Sequence, residues 1–227
     1  GANRPWPDAA VGGGAPVAVG KEIQWFNVSA AGLARVDTLE WKADVDGDLA
    51  GDLARLPDGL HLYIELPLDR DPAPWLPALA GRGAAAKART GGTEPALIPD
   101  PEAVLRFLTA VTAAGLPFKA TAGLHHPVRG EYALTYEPSS PRAVMHGFLN
   151  VTMAALLLRA GAGEAAARDA LVETDPGAFR LGADRFAWRA HTFSSADVRT
   201  LRERVFGSFG SCSFREPVDE LAPLVET

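Results

Sequence analysis

Two short apolar segments, each ending in a lysine followed by threonine and glycine, most constrain how this chain can fold. The first is Ala84 to Gly92 (AAAKARTGG) and the second is Pro117 to His126 (PFKATAGLHH). Between them, residues 101–115 (PEAVLRFLTAVTAAG) have Pro and Glu in the first turn, apolar residues at helical spacing and a closing glycine, which predicts one helix. A strand, a helix and a strand of this size form a parallel crossover. Lys87 and Lys119 are therefore expected at equivalent heights on neighbouring strands.

The same alternation of elements precedes this unit. Strands are predicted at 37–42 and 60–66, with helices at 47–56 and 74–80. Repeated strands and helices predict a parallel sheet with helices outside it. We therefore expect an α/β fold, a parallel (β/α) barrel of TIM type. It is expected to be incomplete or truncated at the N-terminus, because the only strand candidate before Val36 is Ala15 to Val19.

The remainder of the chain is expected to belong to the same domain, which spans residues 1–227. Residues 1–20 are rich in glycine and proline and predict a loop-rich N-terminal segment. Residues 127–185 are expected to be an inserted loop–helix region, with a long loop up to Arg142, a helix over 143–160 and a second helix over 164–172. A capped helix at 194–204 and a strand at 205–209 complete the prediction.

Composition excludes several classes of protein. A chain of 227 residues that is 47% hydrophobic and 22% charged is typical of one globular domain. Its net charge of −6 argues against a nucleic-acid partner. The longest apolar stretch, around residues 151–158, is too short to span a bilayer, and no signal-peptide pattern is present, so no membrane partner is expected. A single cysteine, Cys212, fits a reducing compartment and predicts a cytoplasmic protein.

Strand alternation separates a core face from a polar face. On the strand at Leu60, residues Leu62, Ile64 and Leu66 are expected to face helices, since alternate residues of a barrel strand face outward. On the other strands, the apolar residues that alternate with charged ones are likewise expected to face the helices. The inward set is charged near the carboxyl ends of four strands and comprises Glu40, Lys42, Glu65, Lys87, Arg89 and Lys119, with Thr121 beside them.

Charged groups at the carboxyl ends of barrel strands predict an active site there. Four cations against two carboxylates suit a small anionic substrate, and crowded cations favour the neutral, nucleophilic amine of a lysine. The same six residues could instead form a structural ion-pair layer, because structural networks also gather charges. Likewise Gly91 and Gly92 could cradle a phosphate or simply form a strand-to-helix turn.

These segments resemble an uncharacterised bacterial family with KxRTGG followed by FKATAGLHH. They are also similar to the barrel of deoxyribose-phosphate aldolase, a class I aldolase. That family carries its Schiff-base lysine in Lys-x-Ser-Thr-Gly, and the segment from Lys87 to Gly91 matches it except at Arg89. A second lysine on the next strand corresponds to Lys119, and an Ile-Ile-Glu run corresponds to Tyr63-Ile64-Glu65.

The resemblance extends to the last predicted strand. The aldolase ends its eighth strand in a phosphate-binding Gly-Ala-Ser-Ser turn, which Gly210-Ser211-Cys212-Ser213 resembles. It implies that Gly210, Ser211 and Ser213 bind an anion, which backbone amides and hydroxyls can do. The family also needs a carboxylate on its fourth strand; Asp37 fits the motif position, whereas strand alternation favours Glu40. The insertion that contains His125, His126 and the helix from Ala143 has no counterpart in that family.

Together these observations predict an aldolase-like lyase that acts through a lysine Schiff base. Lys87 is expected to form the imine, Lys119 to assist it, and Glu65 or Glu40 to move protons. The alternatives are a non-catalytic metabolite-binding barrel and a sugar-phosphate transferase. The partner expected in each case is a small anionic metabolite, with phosphorylated compounds included, and homo-oligomerisation is left open.

Three further groups of residues have roles that the sequence predicts. His125 and His126 are expected to contact substrate; with His146 they lack the His-Glu-x-x-His spacing of a zinc site, so no metal or other cofactor is predicted. His146 and Asn150 lie four residues apart and are expected to cap or pack against the loop. Cys212 is expected to be a buried small residue, because no partner base is evident beside it.

Overall fold

Five parallel strands form the central sheet. The computed structural model describes residues 15–42 and 44–225, and the described strands lie in the order β1 (Thr38–Lys42), β2 (His61–Glu65), β3 (Ala85–Arg89), β4 (Phe118–Thr121) and β10 (Phe206–Phe209). The α/β prediction is confirmed. Within the described residues the sheet is open, with β1 and β10 at its two edges and no closed barrel.

The other elements are two small antiparallel sheets and eight helices. The small sheets are a hairpin of β5 (Gly130–Ala133) and β6 (Arg142–Met145), and a meander of β7 (Phe179–Leu181), β8 (Arg185–Trp188) and β9 (His191–Ser194). The helices of the described chain are α1 (Ala15–Ser29), α2 (Leu49–Ala54), α3 (Leu76–Arg82), α4 (Pro101–Ala113), α5 (Phe148–Arg159), α6 (Glu164–Val172), α7 (Ser195–Arg204) and α8 (Arg215–Leu221).

One face of the central sheet forms the hydrophobic core with the helices. Ile64 and Ala86 are completely buried, and Leu62, Ala88 and Phe118 are nearly so. These residues alternate with the charged ones along their strands, as strand alternation predicts. The core face and the polar face were therefore assigned correctly from the sequence.

Helix α4 fixes the spacing between the two lysine strands. Asp100 caps it by accepting a hydrogen bond from the Ala103 amide at 2.6 Å, and Pro101 occupies its first turn. Its apolar stripe is buried against the sheet, where the Phe107 ring meets Phe118 edge-on with centroids 5.7 Å apart. Burial of this stripe holds β3 and β4 side by side.

The loops that follow β3 and β4 contact each other at their first residues. The Thr90 hydroxyl donates to the Ala122 carbonyl at 2.6 Å, and Ala122 has a positive φ of 60°. A Cβ on Gly91 would lie 3.0 Å from the Cα of Gly123, so the two backbones touch. Glycine is required at this crossing because any side chain would separate the strand ends.

Several sequence predictions about element boundaries were wrong. Ala15 to Val19, predicted as a strand, belongs to α1, which also overlaps the expected loop-rich segment 1–20; residues 1–14 of that segment lie outside the described part of the chain. The long loop before Arg142 contains β5, and the predicted helix over 143–160 begins only at Phe148 because β6 occupies its first residues. The hairpin pairing of Tyr132 with Ala143 explains this shift.

None of the helices in the described ranges has the length and apolar character that crossing a bilayer requires.

Candidate active site at the carboxyl edge of the sheet

Lys87 and its neighbours occupy the polar face of the sheet near the carboxyl ends of the strands. The Lys87 ammonium lies 3.0 Å from Glu40 Oε2 and 3.0 Å from Glu65 Oε2. Glu65 also lies 3.5 Å from the Arg89 guanidinium through its other oxygen. Glu65, Lys87 and Lys119 lie on adjacent parallel strands, as predicted, since Glu65 pairs in register with Lys87 and Lys87 with Lys119.

Lys119 shares a carboxylate with Lys87. Its ammonium donates to Glu40 Oε1, and it lies 4.9 Å from the centroid of the Tyr63 ring. A cation over an aromatic face is stabilised by the ring quadrupole. Glu40 thus bridges two lysines on β3 and β4, although β2 separates its own strand from theirs.

The ammonium groups of Lys87 and Lys119 control the ionisation of Glu40. Burial alone would raise its pKa, but hydrogen bonds and charge from Lys119 and Lys87 outweigh burial and lower the pKa of Glu40 below its ordinary value. Glu40 is therefore ionised at neutral pH.

Carboxylates contact both lysines in this cluster, which changes one inference from the sequence. From the sequence, the cations Arg89 and Lys119 were expected to dominate the surroundings of Lys87, and the carboxylates were not taken into account. In the fold, Glu65 lies between Lys87 and Arg89, and Glu40 lies between Lys87 and Lys119. Each carboxylate is placed to accept a proton from the amine that it contacts.

A cavity of about 680 Å³ opens at the carboxyl ends of β1, β2 and β3. Glu65 and Arg89 line it, so they connect the cavity to the lysine pair. Its lining also includes Lys42, Arg70 and four acidic residues: Asp44, Asp46, Glu65 and Asp69. The expected excess of positive charge is therefore absent from this cavity, because the acidic residues after β1 and β2 offset it.

Lys42 is the cation best placed to meet an anion in the cavity. Arg70 is already bound by both oxygens of Asp46, at 2.7 and 3.0 Å, and Arg89 is paired with Glu65. Across the described residues no carboxylate forms an ion pair with Lys42. Lys42 and the half-exposed Arg89 can therefore serve a substrate carboxylate or phosphate.

Thr121 and the glycines after β3 have structural contacts in the fold. The Thr121 hydroxyl donates to the Ala88 carbonyl at 3.4 Å. Gly91 packs on Gly123, and a Cβ on Gly92 would lie 2.6 Å from the Leu97 side chain. Close packing of this turn accounts for both glycines without a phosphate.

A second polar cluster lies beyond the ends of β4 and β10. His125 Nδ1 lies 2.9 Å from Ser211 Oγ, 3.5 Å from Cys212 Sγ and 3.8 Å from Glu216 Oε2. Burial lowers the pKa of His125, with the charge of Glu216 opposing it, so the imidazole is favoured in its neutral form. The turn that was predicted to bind an anion is thus occupied by imidazole and bordered by a carboxylate.

Its neighbour His126 binds the last helix. His126 Nδ1 donates to both Glu220 oxygens, at 2.8 and 3.0 Å, and its ring stacks on Tyr132 with centroids 3.5 Å apart. The Tyr132 hydroxyl donates to the Val128 carbonyl, which fixes the Tyr132 ring in turn. His126 is 6% exposed, so its ring is held on both sides.

Cys212 contradicts the sequence prediction that it is buried. It is exposed, and its thiol contacts His125 and the Tyr136 hydroxyl, the latter at 3.5 Å. Hydrogen bonds with Cys212 and Glu216 raise the pKa of Tyr136 to about 12. The partner base was not evident from the sequence because 87 positions separate Cys212 from His125.

His146 and Asn150 have the packing and capping roles that were predicted. His146 is fully buried, and its Nε2 donates to the Pro99 carbonyl at 2.8 Å. Asn150 accepts from the Arg129 amide and donates to the carbonyls of Ala170 and Glu173, each at 2.8 Å. His146 therefore lies outside the cluster of His125 and His126.

Sequence reasoning missed Tyr136, Glu216 and Glu220. The two glutamates lie four residues apart on α8, so they occupy one helical face. Ser213 lies two residues before this helix, and its hydroxyl accepts from the Glu216 amide at 3.1 Å. A serine three residues before a Glu-x-x-x-Glu pair was the signal available in the sequence.

Comparison of the chain with protein-family models, with curated proteins and with solved structures found no match.

Proposed function

We propose that this chain is an aldolase-like lyase that acts through a Schiff base on Lys87. The observation that carries the proposal is the position of Lys87, between two carboxylates and in register with a second lysine at the carboxyl edge of a parallel sheet. A nucleophilic lysine needs a nearby base that can accept its proton, and Glu40 and Glu65 each lie 3.0 Å from its ammonium.

The strand order supports interpretation of the fold as part of a barrel. Each strand of the central sheet lies beside the central strand that precedes it in the chain, as in the wall of a (β/α) barrel. The polar side chains gather at the carboxyl ends of these strands, where barrel active sites lie. We propose that the five strands are part of such a wall.

The chemistry follows from the contacts of Lys87. Glu65 takes a proton from the ammonium, and the neutral amine adds to a ketone or aldehyde carbonyl. The carbonyl oxygen leaves as water, and the iminium remains on Lys87. Cleavage of the neighbouring carbon–carbon bond then leaves its electron pair on the iminium as an enamine, while a carboxylate accepts the hydroxyl proton of the departing aldehyde.

The surrounding cations support an anionic substrate. Glu65 and Arg89 join the lysine pair to the cavity, where Lys42 and Arg89 can hold a carboxylate or phosphate. We propose a small anionic carbonyl compound, including phosphorylated ones, as the substrate. Gly210, Ser211 and Ser213 lie farther along the same edge. The Gly210 amide donates to the Ala120 carbonyl, and the hydroxyls of Ser211 and Ser213 contact His125 and the Glu216 amide, so these residues are secondary in this proposal.

Reductive trapping tests the proposal. The protein is incubated with small aldehydes and ketones, with and without a phosphate group, and reduced with borohydride; the adduct is located by peptide mapping. The chain has four lysines, Lys21, Lys42, Lys87 and Lys119, so peptide mapping can assign the adduct to one of them. We expect the adduct on Lys87, its loss in Lys87→Met, and its retention in the control Lys21→Met, because Lys21 lies on α1 and does not line the cavity. An adduct on Lys119 would exchange the roles of the two lysines.

A second candidate function is non-catalytic binding of an anionic metabolite. It is favoured by the ion pairs themselves, because carboxylates contact both Lys87 and Lys119 and structural networks also gather charges. Absence of any borohydride-stable adduct, together with calorimetric binding of phosphate that Lys42→Met weakens, would favour this candidate.

A further inference from the structure

The cluster around His126 contains the donor atoms of a metal site. A ring nitrogen of His126 and one carboxylate oxygen from each of Glu216 and Glu220 all lie within 4.8 Å of one another. A metal ion bonded to imidazole and carboxylate at about 2.0 to 2.2 Å needs its ligand atoms at such separations, after small side-chain rotations. Two carboxylates and a neutral imidazole are a ligand set that divalent transition metals accept.

The ligands come from two elements that the fold brings together. His126 follows β4, Glu216 and Glu220 lie on α8, and the turn of Ser211 and Ser213 connects β10 to that helix. The i, i+4 spacing places both glutamates on the face of α8 that meets His126. The site is thus built at the same edge of the sheet as Lys119.

Neighbouring residues hold two of the three ligands in place. Tyr132 stacks on the His126 ring, and the Tyr136 hydroxyl donates to Glu216 Oε2 at 3.0 Å. Partners that orient a ligand are a regular part of metal sites, because they fix the ring and the carboxylate before the ion binds. Their presence distinguishes this cluster from a chance group of exposed acidic residues.

Additional donors lie beside the three ligands. His125 Nδ1 is 3.8 Å from Glu216 Oε2, and the Cys212 thiol lies 3.5 Å from the same nitrogen. Two of the five histidines of the chain and its one cysteine therefore meet at this point. Nitrogen and sulfur donors select zinc-like ions over magnesium and calcium, which prefer oxygen.

We propose that His126, Glu216 and Glu220 bind a divalent transition-metal ion of the zinc type, with His125 as the nearest further donor. The site is separate from Lys87 and does not depend on the lyase proposal. With three protein ligands it retains a position for water or for an oxygen of a bound molecule, as catalytic zinc sites do. It also ties α8 to the end of β4.

The competing interpretation is a hydrogen bond that only docks α8. The variant Glu220→Gln separates the two, because its amide oxygen still accepts from His126 Nδ1 while the ligand charge is lost. Under the docking interpretation this variant leaves cobalt uptake unchanged. Under the metal interpretation it weakens uptake while the metal-free protein keeps its melting temperature nearly unchanged.

Cobalt titration of the tag-free chain is the test, with visible absorption and calorimetry as readouts. We expect one Co²⁺ per chain, displaced by Zn²⁺ but not by Mg²⁺ or Ca²⁺, and binding roughly a hundredfold weaker in Glu216→Gln and Glu220→Gln, since even residues that only orient ligands cost 10- to 100-fold. The control Glu203→Gln, on the exposed face of α7, should bind as the unaltered chain does.

Either of two results would overturn the proposal: no Co²⁺ uptake by the unaltered chain, or equal uptake by the two ligand variants and the control. If one ligand variant fails to fold, the other decides, together with His126→Gln. Because the readout is metal binding itself, its outcome is independent of whether an aldehyde adduct forms on Lys87.

Discussion

Lys87 and Lys119 are register partners on adjacent parallel strands, and their ammonium groups share the carboxylate of Glu40. Two like charges side by side repel each other unless an anion lies between them. Glu40 supplies that anion from β1, two strands away from Lys87. The lysine pair therefore depends on a residue that is distant in sequence and close in space.

The two carboxylates of the cluster should contribute unequally to stability. Glu65→Gln is expected to lower the free energy of unfolding by about 2 to 4 kcal/mol, because the Glu65 side chain is 9% exposed and its loss leaves Lys87 and Arg89 underpaired. Glu40→Gln is expected to cost about 1 kcal/mol, since its side chain is 38% exposed and solvent screens the pair. Urea unfolding of both variants measures the difference, and an equal or reversed order would contradict it.

Removal of Lys119 should change the pH dependence of adduct formation. In Lys119→Met, Glu40 interacts with Lys87 alone, so the ion pair between them is stronger and trapping should need a higher pH. Lys87→Met should abolish trapping at every pH. Borohydride trapping across a pH series checks both variants; an unchanged profile in Lys119→Met would show that the second lysine is electrostatically irrelevant to the first.

Buried His146 should make the protein less stable in mild acid. Burial lowers the pKa of His146 below the ordinary value of 6.5, and nearby Arg129 also opposes protonation. The unfolded chain therefore binds a proton first, so stability is present above about pH 6.5 and is lost as the pH falls, by about 1.4 kcal/mol for each unit between the two pKa values. His146→Gln should flatten the pH dependence of the unfolding free energy between pH 7 and 5. A curve parallel to that of the unaltered chain would assign the loss to other groups.

The crossing of Gly91 and Gly123 should tolerate no side chain. Gly91→Ala is expected to cost about 1 to 3 kcal/mol because its Cβ would lie 3.0 Å from the Gly123 backbone. Gly123→Ala should cost more, since its φ of 77° adds backbone strain. Gly210→Ala is the matched control: its nearest neighbour would be an ordinary contact at 3.7 Å. Thermal unfolding of the three variants ranks them, and a Gly91 variant as stable as the Gly210 control would show that the loops can separate.

Much of the central sheet could be predicted because its local signals agree. On β2, β3 and β4 the alternation of apolar and charged residues assigns each side chain to one face, and Asp100 with Pro101 marks the start of α4. Residues of adjacent strands then meet in register by geometry alone. This is why the association of Glu65, Lys87 and Lys119 could be inferred from the sequence.

Other parts depend on partners that are distant in the sequence. The residues of β6 have helical neighbours downstream and became a strand only because β5 pairs with them. Helix α8 contains Pro217 and few apolar residues, so periodicity does not reveal it. The meeting of His125 with Cys212, and of His126 with Glu220, likewise depends on the final folding of the last helix against β4.

The strand order has a consequence for synthesis. The strand pairs β1–β2, β2–β3 and β3–β4 each join central strands that emerge from the ribosome one after another, so these pairings can form as the chain lengthens. The pairing of β4 with β10 must wait for residues 122–205, which include the hairpin and α5 to α7. Until then β4 presents an open edge, and the groups that follow it, His125 and His126, cannot meet those beyond β10. The contacts of His125 and His126 with the residues after β10 can therefore form only after all five strands of the central sheet have been synthesised.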